Sequence, residues 1–387
     1  MQRSLDLRLK DFVPVPAGLQ TANSSVAASI DVRLADLFHH YWRDAHYQAV
    51  PSPNPIAQWY ISLLTPDAAF RFRGPSVGTH KEPRIAHHNL LGKAFCRWFL
   101  SAHCGITYFA HMEHVLKGTI DPMFGSIQVT RVGAGDTPDY LCAENAQTLC
   151  LAEAKGTAAS ISFTNAEFGR WRQQFDRVEF RDANGVLRVL KGYIVATRFV
   201  SEDHSENVRS ALYAEDPRTR GDVSLNVQQE EGFHLARATI AGHYGVVLDK
   251  LRLPLLATAL RQGTTLPADL PIRMAIWECL VAPVQQSLFV GGYFDPPDWP
   301  AGQWPYFDFV ERVASRLCLS AVGLTFFGLE IGAFQTIRNA SLSGRATLSD
   351  VTPLRFEAVA PTELSVFRDG TILGPVDFFR FREIQEF

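Results

Sequence analysis

Apolar positions along DVRLADLFHHYWRDAHYQ, residues 31–48, recur at the three- and four-residue intervals of a helix, with Leu34, Leu37, Phe38, Tyr41 and Trp42 on one stripe. PSPNP, Pro51 to Pro55, reads as a loop. A second helix is predicted after Pro83, from Arg84 to His103, where Ile85, His88, Leu91, Phe95, Trp98 and Phe99 share a face. Strand-like apolar pieces follow, GITYFAHMEHVL and SIQVTRV. Then PDYLCAE and LCLAEAK, separated by NAQT, predict a β-hairpin. FTNAEFGRWRQQFDRVEF has helical spacing of Phe168, Trp171, Phe175 and Val178, and Thr164 and Glu167 stand at capping-box distance. Asn184-Gly185 marks a turn. GYIVATRFV, Gly192 to Val200, is a continuous apolar run of the kind a central strand shows. Residues 84–200 therefore read helix, strand, strand, strand, helix, strand.

Outside that stretch the pattern is looser. SEDHSENVRSALYAEDPRTRGD, from Ser201, is polar and reads as a linker, and a helical pattern runs from about Glu230 to Arg261. GGYFDPPDWPAGQWP reads as a loop, and the alternating tail with its turn at Arg368–Gly370 suggests strands. The division expected is a mainly helical N-terminal segment over 1–79, a central α/β domain over 80–200 and a C-terminal α+β region over 201–387. LCLSAVGLTFFGL, Leu317 to Leu329, is the longest uncharged apolar run and falls short of the roughly 20 residues that span a bilayer, so it is expected to be a buried core element.

Composition adds limits. With 387 residues, 47% hydrophobic and 20% charged, the chain belongs with folded globular proteins. The N-terminus, MQRSLDLRLKDFVPVPAG, has no apolar signal core, and the six cysteines form no C-x-x-C pair; both favour a cytoplasmic protein with reduced thiols and no membrane partner. The net charge of −3 argues against a strong field for nucleic acid. Its distribution is uneven: residues 80–200 carry 14 basic and 11 acidic residues, residues 201–387 carry 16 and 23. A polyanion would therefore be gripped by the middle.

The candidate chemistry lies in the hairpin. A turn centred near Ala146 places Asp139 opposite Glu153, and directly opposed residues in an antiparallel pair have Cβ atoms about 4.5–5.5 Å apart. Two carboxylates that close repel unless a cation lies between them or one is protonated. Hard oxygen ligands of this kind suit Mg²⁺ or Mn²⁺. Lysine is scarce here, seven residues against 30 arginines, yet Lys155 stands two residues after Glu153 and so shares its strand face. Two carboxylates, a divalent ion and an amine can together hydrolyse a phosphodiester.

Pro138-Asp139 followed by Glu153-Ala154-Lys155 resembles the signature of the PD-(D/E)xK nuclease superfamily, the restriction-endonuclease-like fold, whose αβββαβ core order matches the one read for residues 84–200. The resemblance covers about a third of the chain. It implies a mixed-sheet α/β fold in which Asp139 and Glu153 bind the metal, the Ala154 carbonyl also ligates it, and Lys155 assists the attacking water. It further implies a Mg²⁺- or Mn²⁺-dependent endonuclease, on DNA rather than RNA, in a role such as restriction or phage defence. Many members carry a glutamate on the first helix. Here Arg84–His103 contains none, and Glu82 and Glu113 flank it, with Glu113 the accessory candidate. Some relatives carry a glutamine and a tyrosine on the second helix; Gln173 and Gln174 are present, and Val178 stands where the tyrosine would. Gln174 is the candidate contact to substrate or metal water, and Arg170, with Arg172 and Arg177, to phosphates. HMEH, His111 to His114, lacks the spacing of a zinc helix. The acidic C-terminal region is expected to choose the substrate, restrain the centre or dock a protein partner, with a homo-oligomer also open; the alternative is a non-catalytic nucleic-acid- or protein-binding module that keeps the fold.

Overall fold

The first strand, β1 (Gln2–Lys10), already shows how the chain builds its core: Arg3, Leu5 and Leu7 are buried at every second position, the period of a strand. A computed structural model describes residues 1–45, 63–76, 80–117, 128–146, 148–181, 184–217, 230–293, 325–344, 348, 350–355, 360–361 and 363–387. After β1 come β2 (Ser29–Arg33), α1 (Leu34–Ala45), β3 (Arg71–Phe72), α2 (Lys81–His103), β4 (Tyr108–His111) and α3 (Met112–Leu116). The hairpin region holds β5 (Gln128–Arg131), β6 (Tyr140–Ala143) and β7 (Leu149–Thr157). Next are α4 (Ala166–Phe175), β8 (Val178–Arg181), β9 (Leu187–Arg188), β10 (Lys191–Arg198), β11 (Val200–Ser201) and β12 (Ala211–Glu215). The C-terminal region contains α5 (Glu230–Lys250), α6 (Pro254–Gln262), β13 (Arg273–Cys279), β14 (Leu288–Tyr293), β15 (Thr325–Glu330), α7 (Ile331–Ser343), β16 (Ser365–Val366), β17 (Thr371–Pro375) and β18 (Phe379–Glu386).

The protein is mixed α/β. Its principal sheet is seven-stranded and mixed, in the order β2-β1-β12-β10-β7-β6-β4. β4, β6 and β7 run antiparallel in turn, and β7 then pairs with β10 in parallel. A parallel pair needs a long crossover, and α4 lies within it. Helix α2 lies against β7 at the closest possible approach. A Cβ at Gly156 would sit 1.8 Å from the His88 carbonyl oxygen, and one at Gly92 would sit 2.4 Å from the Gly156 nitrogen. Only glycine at both positions lets helix and strand backbones touch, and the contact falls directly after Lys155.

A second, antiparallel six-stranded sheet has the order β16-β17-β15-β14-β13-β18. One hydrophobic cluster runs without a break from Leu5 and Leu7 of β1 through α1, α2, α5 and α6 to Phe327 of β15 and Leu373 of β17. The outer face of the second sheet has its own cluster around Trp277, Phe326 and Phe379.

Several expectations need correction. Among the described residues of the N-terminal segment, β1 and β2 join the principal sheet alongside helix α1, and the alternation of Leu5, Leu7 and Leu9 is a period-two signal. The helix expected over 31–48 begins at Leu34, residues 31–33 being the end of β2, and 46–48 lie outside the described residues. The supposed linker after Ser201 contains β12, an inner strand paired with both β10 and β1. Ala211–Ala214 is too short an apolar run to stand out from its polar flanks. The principal sheet thus draws strands from outside 80–200. MEHVL forms a turn of helix, not strand. SIQVTRV contributes β5 to a separate three-stranded sheet with β8 and β9, and Val178 belongs to β8, not to the preceding helix. Asn165, not Thr164, caps α4, without a side-chain bond. Helix α2 begins at Lys81, with Pro83 in its first turn, where the missing N–H costs nothing. PSPNP and most of the GGYFDPPDWPAGQWP loop lie outside the described residues, as does Leu317–324; 325–329 are buried in β15.

Candidate active site

The hairpin register is the expected one. Tyr140 faces Ala152, Leu141 faces Leu151 and Cys142 faces Cys150, so Asp139, one residue before β6, continues the ladder opposite Glu153. An Asp139 carboxylate oxygen accepts the Ala154 N–H at 3.0 Å. A residue's N–H and C=O leave a strand on the same edge, so the Ala154 carbonyl also opens toward Asp139, beyond the end of β6.

The loop delivering Asp139 is held by arginines. Arg131 donates to the carbonyls of Gly133 and Gly135, and Arg177 donates to that of Asp136 at 2.8 Å. Gly135 has φ +102°, which favours glycine, and a Cβ there would also meet the Arg177 guanidinium at 2.8 Å. The Asp139 carbonyl accepts the Met112 N–H at 2.9 Å, anchoring the loop to α3.

Glu153 is completely buried, at 0% exposure. Lys155 lies in ion-pair contact with its Oε1, yet neither carboxylate oxygen accepts a hydrogen bond of full geometry. Burial, and then the nearby Asp139 carboxylate, push the Glu153 carboxyl up to about 8; Lys155 and the adjacent Gln174 side chain only partly oppose this. The Lys155 ammonium is held above the ordinary lysine range: burial works against the charge, but Glu153 and Asp139 outweigh it. A thiol, Cys96, backs the strand, with its Sγ 3.9 Å from the Glu153 carbonyl oxygen.

Sequence reasoning missed a fifth group. Lys93 reaches from α2 to the other Asp139 oxygen, at 3.1 Å. Its pKa is raised; burial opposes the charge, and Asp139 followed by Asp44 overcome it. Each carboxylate of the centre therefore has its own ammonium, Lys93 on Asp139 and Lys155 on Glu153. The scarcity of lysine was a usable signal, for two of the seven meet here. Behind the centre, Asp44 of α1 binds Arg97 at 2.8 Å, His111 at 2.8 Å and the Tyr140 hydroxyl. This ties the first helix to the residue following Asp139.

The accessory candidates separate. Gln174, the last but one residue of α4, is buried beside Glu153. Glu113 does not join the centre; it is exposed on α3 and pairs with Lys117 four residues on. Arg170 is exposed and pairs with Glu167, while Arg172 holds Glu215 of β12 at 2.7 Å. Val178 and the exposed Gln173 supply nothing to the centre.

Among the described residues no three His, Cys, Asp and Glu side chains stand together as a metal cluster. The donor set on offer is two carboxylates and a main-chain carbonyl, oxygen only, which fits a hard divalent ion. Glu153 is completely buried, with Lys155 on Oε1 and Gln174 beside it, and its oxygens keep lone pairs that a hard ion could use. Comparisons with protein-family models, curated proteins and solved structures found no match. No helix among the described residues is long and apolar enough to cross a membrane.

Proposed function

We propose that the chain is a divalent-metal-dependent nuclease, with a restriction-endonuclease-like core and DNA as the preferred substrate. The observation that carries the reading is the convergence of Asp139, Glu153 and Lys155 at the open end of one hairpin, with Glu153 fully buried. The elements α2, β4, β6, β7, α4 and β10 also follow one another in the helix-strand-strand-strand-helix-strand order of the family that the motif resembles.

Asp139, Glu153 and the Ala154 carbonyl are the groups that hold the ion, Mg²⁺ or Mn²⁺. When bound, a divalent ion supplies Lewis-acid charge at the phosphoryl oxygen. The chain's own groups do the rest. Lys155 orients the attacking water and offers charge to the developing phosphorane oxygens. Lys93, on the opposite side of Asp139, faces the same anion from α2. Gln174 restrains the Glu153 carboxylate from behind. Restriction or phage defence is the role proposed by analogy.

Plasmid DNA incubated with Mg²⁺ or Mn²⁺ tests this. Wild type is expected to cut with metal and not with EDTA, and Glu153→Gln and Lys155→Ala to lose about 10²-fold or more of the rate. Equal cutting by wild type and both variants overturns the reading.

One observation favours a second reading, a non-catalytic binding module. Asp139 and Glu153 each already contact an ammonium, Lys93 and Lys155, so both acids have partners without metal. Calorimetry with millimolar Mn²⁺ separates the two: binding that Glu153→Gln abolishes supports the nuclease, and no binding supports the module.

A further inference from the structure

A cavity of about 540 Å³ opens beyond the carboxyl ends of β7 and β10, beside the first turn of α2. Its volume is that of a small-molecule site. The carboxyl ends of parallel strands are where α/β proteins place their ligands, because the strands end there and the connecting chain leaves a crevice.

The lining is mostly apolar, with Lys81 and Arg84 from α2, Thr157 from the end of β7 and Ser201 from β11, and Asp203 is the one acid. No carboxylate neutralises either cation among the described residues. Arg84 donates only weakly, to the carbonyls of His80 and Pro75, at 3.3 and 3.5 Å. Ile85, also lining the cavity, is 48% exposed, an apolar surface of the size that a base or sugar would cover. The amino end of α2 adds a small positive potential. Thr157 lies two residues, about 7 Å of extended chain, beyond Lys155 on the same strand face. The strand that carries Glu153 and Lys155 therefore runs into the cavity wall, although none of Asp139, Glu153 and Lys155 lines it.

We propose that this cavity is a nucleotide subsite: Lys81 and Arg84 take a phosphate, and Ile85 covers the attached base or sugar, of a strand passing the catalytic edge. The strand in this statement rests on the nuclease reading; the binding of a nucleotide does not.

Fluorescence anisotropy with a short labelled oligodeoxythymidylate, in EDTA so that nothing is cut, is the test. The Lys81→Ala/Arg84→Ala double variant changes only surface side chains, and circular dichroism checks its fold. It is expected to bind about 10-fold more weakly than wild type and to show a shallower salt dependence. Arg273→Ala, which removes an exposed cation on the second sheet, should bind as wild type does. Unchanged binding by the double variant, or equal weakening by Arg273→Ala, overturns the subsite. Competition by free thymidine monophosphate would show that one nucleotide suffices, and its failure that a strand is needed; both keep the site. If the double variant loses binding while wild type cuts no DNA with metal, the subsite stands and the nuclease reading falls.

Discussion

Glu153 is the group on which the chemistry turns, and its protonation has a consequence for stability. Its carboxyl is ordinary when unfolded and pushed up to about 8 when folded. Between those limits the native protein holds a proton that the unfolded chain lacks, so stability falls as pH rises toward 8 and levels off above it. Glu153→Gln removes that loss. In EDTA we expect the variant to melt higher than wild type at pH 9, by an amount of order a few kcal/mol, and the gap to close near pH 4. Thermal melts at the two pH values check this; an equal gap at both would show that Glu153 ionises normally. Lys93 makes a different claim. Its ammonium competes for the Asp139 oxygen at 3.1 Å, so Lys93→Gln should tighten Mn²⁺ binding by roughly 3- to 10-fold in calorimetry while lowering any cleavage rate. Unchanged affinity would place Lys93 outside the metal's reach. Asp139, Glu153 and Lys155 could be found from residue spacing because a hairpin is local: its register follows from where the turn lies. Lys93 could not, since its distance from Asp139 depends on how α2 lies across the sheet.

The contact of α2 with β7 sets the position of Lys93 and of the cavity together. Gly156→Ala puts a methyl group 1.8 Å from the His88 carbonyl oxygen, which backbone shifts alone can relieve. We expect at least about 2 kcal/mol of destabilisation in urea unfolding, together with weaker oligonucleotide binding, because helix and strand must separate. Stability within about 0.5 kcal/mol of wild type would show that the two backbones have room to move. Elements with a strong period were legible: α2, β7 and β10 lie where their apolar spacing puts them, and α4 does so as far as Phe175. The residues missed were those where period and length are weak. β12 shows only four apolar residues in a polar stretch, and its place between β1 and β10 comes from partners distant in the chain.

A buried ionic node joins the two sheets. Asp369, in the turn before β17, contacts Arg43 of α1 and His243 of α5, and each of the three side chains is at most 2% exposed. The His243 Nδ1 accepts the Phe109 N–H at 3.0 Å, so its other nitrogen carries the hydrogen donated to Asp369 at 2.7 Å. Burial, then Arg43, hold the His243 pKa down to about 4, and Arg43 leads the neighbours that keep Asp369 well below the carboxylate range against burial. Asp369→Ala leaves Arg43 buried without its anion and is expected to cost about 3–5 kcal/mol, measured by denaturant unfolding. With the core cluster continuous from β1 to β17, we expect one calorimetric transition for the full chain. Two separated transitions would show that the C-terminal region folds on its own.

Turn chemistry, strand period and the spacing of Asp139, Glu153 and Lys155 were readable from the residues alone, because each depends on neighbours along the chain. The seven-stranded sheet, the Lys93–Asp139 pair, the cavity at the strand ends and the Asp369 node were decided by tertiary packing. The Lys93–Asp139 pair joins residues 46 positions apart and the Arg43–Asp369 pair residues 326 apart, and no local pattern encodes which distant surfaces exclude water together.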